Sequence, residues 1–241
     1  MKYFLTGATG FVGSYLARLL RQNGHEVVAL VRNPSKAADL AALGVVLAPG
    51  DVTEPDTLRA PMQGCDGVFH VAGWYKIGAR DKSEGEKINV EGTRNVLAAC
   101  QAHGIGKLVY TSTPSVVHEG GDLEGVDERA PYATRFLAHY PATKTLAEQE
   151  VLSANGPALA TVALRPHLIW GPGDNHLLPR ILARARAGRL RFIGPPGKLI
   201  DATYIDNAVD AHLKAAVTLQ PGAPQAGRAY FISNGEPIAT E

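Results

Sequence analysis

The stretch "YPATK" sets the Tyr140 phenol and the Lys144 ammonium four residues apart, behind Pro141. On a helix that spacing puts both groups on one face, a turn apart. A cation at such a distance favours the charged form of a neighbouring acid, so the pair could hold and move a proton. Alone the pattern is weak, because a Tyr four places before a Lys often arises by chance. A second stretch, "TGATGFVG", spaces Gly7, Gly10 and Gly13 at three and three. A glycine in such a turn lets the backbone approach a pyrophosphate, and the helix that follows offers it unpaired N–H groups. A third glycine lets that helix pack close to the sheet. A tight strand–helix turn would also use glycine, but the place at the first strand–helix junction favours a nucleotide site.

The next strand decides which nucleotide to expect. An Asp or Glu closing it would hydrogen-bond the ribose 2′-hydroxyl of NAD. Here "VVALV" ends in Arg32, with Lys36 close behind. A guanidinium and an ammonium suit a 2′-phosphate, so NADP is expected ahead of NAD, against the plainer reading of a solvated basic turn. Asp51 in "GDV" closes the third strand. It could accept from an adenine amino group or cap the following helix, a task Thr53 could equally fill.

These residues need a frame. "YFLTG" (3–7), "HEVVALV" (25–31), "GVVLAPGDV" (44–52), "DGVFHVAG" (66–73), "KLVYTST" (107–113) and "ALATVALRP" (158–166) read as strands. Helical patterns cover 11–24, 35–43, 54–62, 84–104 and 141–156, the last with Pro141 in its first turn, where a missing N–H costs nothing. Strands separated by helices require parallel crossovers, hence an α/β fold with a doubly wound, mostly parallel sheet. Residues 1–170 are expected to form the dinucleotide-binding domain, joined by returning elements at 199–217 and 228–234. Beyond 166 the pattern becomes irregular: loops at 170–175 and 193–198 flank a basic helix at 176–189. Segments 171–198 and 218–241 are expected to form a small substrate lobe.

The bulk numbers narrow the classes. The chain has 241 residues, 45% hydrophobic and 20% charged, an ordinary globular composition able to bury a core. Lys plus Arg is 24 and Asp plus Glu 23, which gives no charge argument for nucleic acid or an anionic membrane. Cys65 and Cys100 make no metal spacing, nor do His118, His139, His167 and His176, so no metal is expected. With neither a signal-type h-region nor an apolar run of membrane-span length, the chain reads as a soluble, reduced, cytoplasmic protein.

With these pieces in order the chain resembles the extended short-chain dehydrogenase/reductase family. The carriers are "TGATGFVG" (6–13), "GDVTEPDTL" (50–58), "VFHVAG" (68–73), "NVEGTRNVLAAC" (89–100), "YTSTPSV" (110–116), "YPATK" (140–144), "LRPHLIWGPGD" (164–174) and "TYIDNAVDAH" (203–212). Within it, "YTSTPSV", "ATVALRPHLIWGPGDNHLLPR" and "YFISNGEP" are similar to the 3β-hydroxysteroid dehydrogenase branch, which takes in sterol-4-carboxylate dehydrogenases and bacterial 2-alkyl-3-oxoalkanoate reductases. The resemblance implies a Rossmann fold and hydride transfer between a nicotinamide and a carbon bearing oxygen, with Tyr140 as acid/base. A free phenol titrates near 10, so work near neutrality means lowering it by about 2–3 units, roughly 3–4 kcal/mol. Lys144 would supply positive charge and bond the nicotinamide ribose. Thr113 stands where many relatives carry Ser, and its hydroxyl would bond the substrate oxygen. The same resemblance implies cofactor contacts from Gly7, Thr9, Gly10, Phe11 and Val12, from Arg32, Lys36, Asp51 and Val52, from Val71, Ala72 and Gly73, and from Pro166 and Leu168. Trp74, Tyr75, Ser115 and His167 would meet substrate, with core packing as the alternative for Trp74 and Tyr75. Asn89 matches a structural Asn of the family, with a solvent-facing polar residue as the alternative. Asp206 and Asn207 are expected to cap the helix that begins there.

Sugar-nucleotide epimerases and dehydratases share these motifs, but hold a diphosphate with an Asn in the "RP" segment and an Arg further on. Leu168 and Ile200 stand there, and neither can donate to a phosphate. Arg180, Arg184 and Arg191 are the residues that could substitute for them, and a solvated basic helix is their commoner fate. The expectation is therefore an oxidoreductase acting on an apolar small molecule, a 3β-hydroxysteroid or a long-chain 3-oxo or 3-hydroxy compound. The alternatives are a sugar-nucleotide epimerase or dehydratase with tightly held NAD, and a non-catalytic dinucleotide sensor. Homodimers are common in the family, and no residue here decides the assembly. Relatives usually continue past "NGEPIATE" into further helices, so the substrate lobe is expected to be incomplete.

Overall fold

Short β-branched runs alternate with helices in the computed structural model, which describes residues 1–75, 81–174, 178–191 and 197–239. The first half runs β1 (Lys2–Thr6), α1 (Phe11–Gln22), β2 (Glu26–Val31), α2 (Ala38–Ala42), β3 (Val46–Pro49), α3 (Asp56–Met62) and β4 (Gly67–His70). Next, α4 (Ser83–Glu86) passes through a π-type turn at Lys87–Glu91 into α5 (Gly92–Ala102), followed by β5 (Lys107–Thr111), α6 (His139–Ser153) and β6 (Ala160–Pro166). The last part holds β7 (Leu168–Trp170), α7 (Leu178–Arg186), β8 (Leu199–Ile200), β9 (Ala202–Tyr204), α8 (Ile205–Thr218), β10 (Arg228–Ile232) and β11 (Ile238–Ala239).

Among the described residues seven strands form one sheet in the order β10-β6-β5-β4-β1-β2-β3, and every pairing in it is parallel. The seventh, β10, extends the six-strand expectation by pairing with β6. Successive strand residues serve opposite faces. Tyr3, Leu5, Val27, Ala29 and Phe69 pack with α1, α2 and α8, while Phe4, Val28, Leu30, Val68 and Tyr110 pack with α3, α5 and α6. Both faces are covered, as a parallel sheet requires.

The chain runs outward from β1 to β3, then returns to place β4 on the other side of β1. Ligands of such sheets bind at this reversal, beyond the carboxyl ends of the strands. Several strands stop earlier than the apolar pattern suggests, β4 at His70 rather than 73 and β5 at Thr111 rather than 113. Beyond them Ser112 still donates to the Leu164 carbonyl at 2.6 Å, and Val71, Ala72 and Gly73 go on to line a cavity.

The capping alternative for Asp51 and the cap expected of Asp206 and Asn207 both fail. Pro55 and Tyr204 stand at the N-caps of α3 and α8, and neither makes a side-chain cap bond. The Asp51 carboxylate accepts instead from the Thr53 amide and hydroxyl, both at 3.0 Å. Asn234 anchors the start of α8, taking the Tyr204 amide and the Asn207 side chain at 3.0 Å each. His139 begins α6, two residues ahead of the helical pattern at 141–156. The basic segment is helical over Leu178–Arg186, and His176 and most of the 193–198 loop lie outside the described residues. No helix among the described residues is long and apolar enough to cross a membrane, and no group of their His, Cys, Asp and Glu side chains could hold a metal ion.

Candidate active site

A cavity of about 880 Å³ opens at the reversal point. Its floor is the turn after β1. Gly7 has φ +74°, and a Cβ there would stand 2.7 Å from the Ala72 amide nitrogen. A Cβ on Gly13 would drive into the Gly7 carbonyl, 2.7 Å from its carbon. Gly10 donates to the Gly7 carbonyl at 2.9 Å and stands at the N-cap of α1 with no side chain to cap it. The first-turn N–H groups of α1 therefore have no partner within the helix and point towards the cavity rim. This cradle and the cavity's size fit a dinucleotide.

The structure brings most of the expected residues to this cavity. Thr9, Phe11 and Val12 line it beside the glycines; Arg32, Asp51 and Val52 line the end near β2 and β3. Val71, Ala72 and Gly73 form the middle, and Pro166, His167 and Leu168 the far side. Tyr140, Lys144, Thr113 and Ser115 close it at the end of β5 and the start of α6, with Tyr75 at the mouth. Lys36 lies exposed in a short turn outside the lining. Trp74 is also outside: it is buried, its indole N–H donates to Glu84 at 3.1 Å, and it packs against Gly85. The core-packing alternative holds for Trp74. Leu30, Gly50, Ile88, Thr111, Ile169 and Asp174 line the cavity without a signal in the sequence beyond their nearness to motif residues.

Asn89 is buried in the π-type turn. Its carbonyl oxygen accepts from the Trp74 amide at 2.7 Å, and its amide donates to the Trp74 carbonyl and the Thr143 hydroxyl, each at 2.9 Å. It thus ties the loop after β4 to α6, and the solvent-facing alternative is excluded.

Thr113 ends the β5 segment with extended backbone and caps the turn Pro114–Val117, its hydroxyl accepting from the Ser115 amide at 3.3 Å. The Thr113 hydroxyl donates to Ser115 Oγ at 3.2 Å. Burial pushes the Tyr140 phenol up to about 12, and the neighbouring Thr113 hydroxyl pulls the other way. Burial draws Lys144 down to about 7, opposed by the Glu148 carboxylate one turn further on. Lys144 Nζ donates to Tyr110 Oη and to the Thr111 carbonyl, both at 2.6 Å. Burial thus works against the lowering of the phenol expected from Lys144, whose ammonium bonds Tyr110 and Thr111.

Leu168 lies at the cavity wall, with its side chain 42% exposed. Ile200 sits in β8 against β11 and does not line the cavity. Arg180, Arg184 and Arg191 are exposed and away from the lining.

The model of the 3-beta hydroxysteroid dehydrogenase/isomerase family matches residues 4–241. The chain belongs to that family. It is an extended short-chain dehydrogenase/reductase. It is 51% identical over 241 residues to the 2-alkyl-3-oxoalkanoate reductase of Stenotrophomonas maltophilia, covering 99% of this chain and 72% of that protein. It is 48% identical over 243 residues to the 2-alkyl-3-oxoalkanoate reductase of Shewanella oneidensis, covering 98% of this chain and 62% of the relative. Among solved structures, the UDP-glucose 4-epimerase of Thermus thermophilus in complex with NAD superposes with a TM-score of 0.80 at 26% identity, covering 99% of this chain and 79% of the epimerase. The family's named members are dehydrogenases and reductases, in agreement with the oxidoreductase expectation.

Proposed function

We propose that this chain carries the NADP-dependent reduction of a long-chain 2-alkyl-3-oxo acid to the 3-hydroxy acid. The observation that carries the reading is the Tyr140 phenol, beside Thr113, at the wall of the cavity whose floor is the glycine cradle. When bound, the dinucleotide supplies the hydride that goes to the carbonyl carbon. Tyr140 then gives its proton to the carbonyl oxygen as the C–O bond becomes single, while Thr113 donates a hydrogen bond to that oxygen and orients it. A phenol with its pKa raised to about 12 starts this direction in the needed state. Lys144, which lines the same cavity, would supply a cation and a donor to a cofactor ribose hydroxyl.

Arg32 at the cavity end, with no carboxylate beside it in the turn, supports a 2′-phosphate and hence NADP over NAD. The apolar Leu168 and Ile169 on the substrate side support an acyl chain, and identity to two reductases named for 2-alkyl-3-oxoalkanoates gives the class. The epimerase reading has the fold in its favour, but Leu168 stands where a diphosphate would need a donor. The test follows NADPH and NADH oxidation at 340 nm against a panel of long-chain 3-oxo acids (with and without a 2-alkyl branch), steroid ketones and UDP-glucose. Turnover of the branched 3-oxo acid with NADPH is expected. UDP-glucose epimerisation, or exclusive use of steroid ketones, would overturn the proposal.

A further inference from the structure

Lys144 does not stand alone behind the cavity. Two of its three N–H groups are taken by Tyr110 Oη and the Thr111 carbonyl, and its nitrogen lies 4.0 Å from the Tyr110 ring centroid. One N–H is left for the cavity it lines. Tyr110 is 1% exposed, and Thr93 stands near its hydroxyl. Thr93 belongs to a buried chain of polar groups. The Thr93 hydroxyl donates to the Asn89 carbonyl at 2.6 Å, so it accepts from His70 Nε2 at 2.9 Å. That assigns the His70 proton to Nε2 and leaves Nδ1 to accept from the Thr6 hydroxyl at 2.7 Å. Thr6 Oγ1 in turn accepts the Val71 and Ala72 amides at 3.2 and 3.1 Å, in the loop that lines the cavity. Fully buried beside this chain and bonded to Lys144 at 2.6 Å, the Tyr110 hydroxyl has little freedom to turn away.

We propose that Tyr110 is a positioning residue for Lys144, fixing where the ammonium points and how readily it holds its proton. The proposal rests on Lys144 serving the reaction proposed above. A hydroxyl oxygen 2.6 Å from Nζ stabilises the charged form, and in a buried site its loss is not made up by water. The other groups facing Lys144 leave this role open. On α6, Glu148 is committed to Arg165 and Tyr132, and Tyr140 is protonated. On β4, His70 is kept neutral, its pKa drawn to about 3 by burial and then by Lys144 itself.

The full chain labelled with 13Cε-lysine tests this by NMR titration, with the Lys144 signal assigned through its loss in Lys144→Met. Tyr110→Phe is expected to lower the Lys144 midpoint by about one unit, the size of one net hydrogen bond. Thr93→Val, which removes the hydroxyl near Tyr110 Oη, should move it the same way by less, and carries the test should Tyr110→Phe fail to fold. Midpoints unmoved in the folded variants would overturn the proposal. NADPH-dependent turnover of a 2-alkyl-3-oxo acid is measured on the same proteins, and its alkaline limb should move down with the midpoint. A moved midpoint with unchanged turnover would keep the Tyr110–Lys144 coupling and remove Lys144 from the proposed reaction.

Discussion

At the scale of residues, Tyr140, Thr113 and Lys144 differ in how their surroundings treat charge. Burial keeps the phenol protonated and weakens the ammonium's hold on its proton, while Tyr110, Thr111 and Glu148 work to keep that ammonium charged. Arg32 is different: exposed at the cavity's edge, it can meet an anion without a desolvation penalty. Arg32→Ala is expected to weaken NADPH binding roughly tenfold to a hundredfold, the worth of one or two charge-assisted hydrogen bonds, while NADH binding stays level. Fluorescence titration of both dinucleotides checks this, and equal losses would point to a general role in folding the loop. Tyr140, Lys144 and Thr113 could be read from the sequence because motif spacing carries them. Tyr110 could not be assigned its partner, since it lies 34 positions from Lys144 and only the packing of β5 on α6 brings the two together. Trp74 misled for the opposite reason: an aromatic beside a motif suggests a cavity wall, but its indole N–H found Glu84 and turned the ring inward.

At the scale of elements, α6 must be held against the sheet for Tyr140 and Lys144 to face the cavity. Glu148, on the same face as both, forms a bidentate pair with Arg165 of β6, at 2.6–3.1 Å, with side-chain exposures of 0% and 4%. The Tyr132 hydroxyl donates to the same carboxylate at 2.8 Å, which fastens the segment before α6. Glu148→Ala would leave a buried guanidinium uncompensated and is expected to cost about 3–5 kcal/mol in urea unfolding. Replacing both partners, Glu148→Leu with Arg165→Met, should recover most of that loss, because the desolvation of the charge goes with the charge. The β1–α1 turn is a second such joint. Its spacing was legible in "TGATGFVG" because the contact forbids a Cβ at Gly13, and composition records such prohibitions directly. Helix caps were less legible: Asp51 and Asn207 are the right residue types, but distant groups such as Asn234 compete for the same amides.

At the scale of the whole molecule, the doubly wound arrangement follows from two-faced strands covered by helices on both sides. The alternation of strands and helices gave six of the sheet's seven strands and their parallel sense, but not their order. The seventh strand was recognisable as a strand, but its place beside β6 depends on where α8 returns the chain, which short-range pattern does not record. The sheet's reversal puts the glycine cradle of β1, the loop after β4 and the start of α6 around one cavity, so a cofactor and a proton donor meet there. The most direct measurement of this claim uses NADPH deuterated at the nicotinamide C4 and a long-chain 2-alkyl-3-oxo acid, with wild-type and Tyr140→Phe proteins compared in single turnovers. The wild type is expected to place deuterium at C3 of the hydroxy acid, and Tyr140→Phe to bind NADPH as well but transfer at least about a hundredfold more slowly. Equal transfer rates in the two proteins would contradict the assignment of Tyr140 as the proton donor.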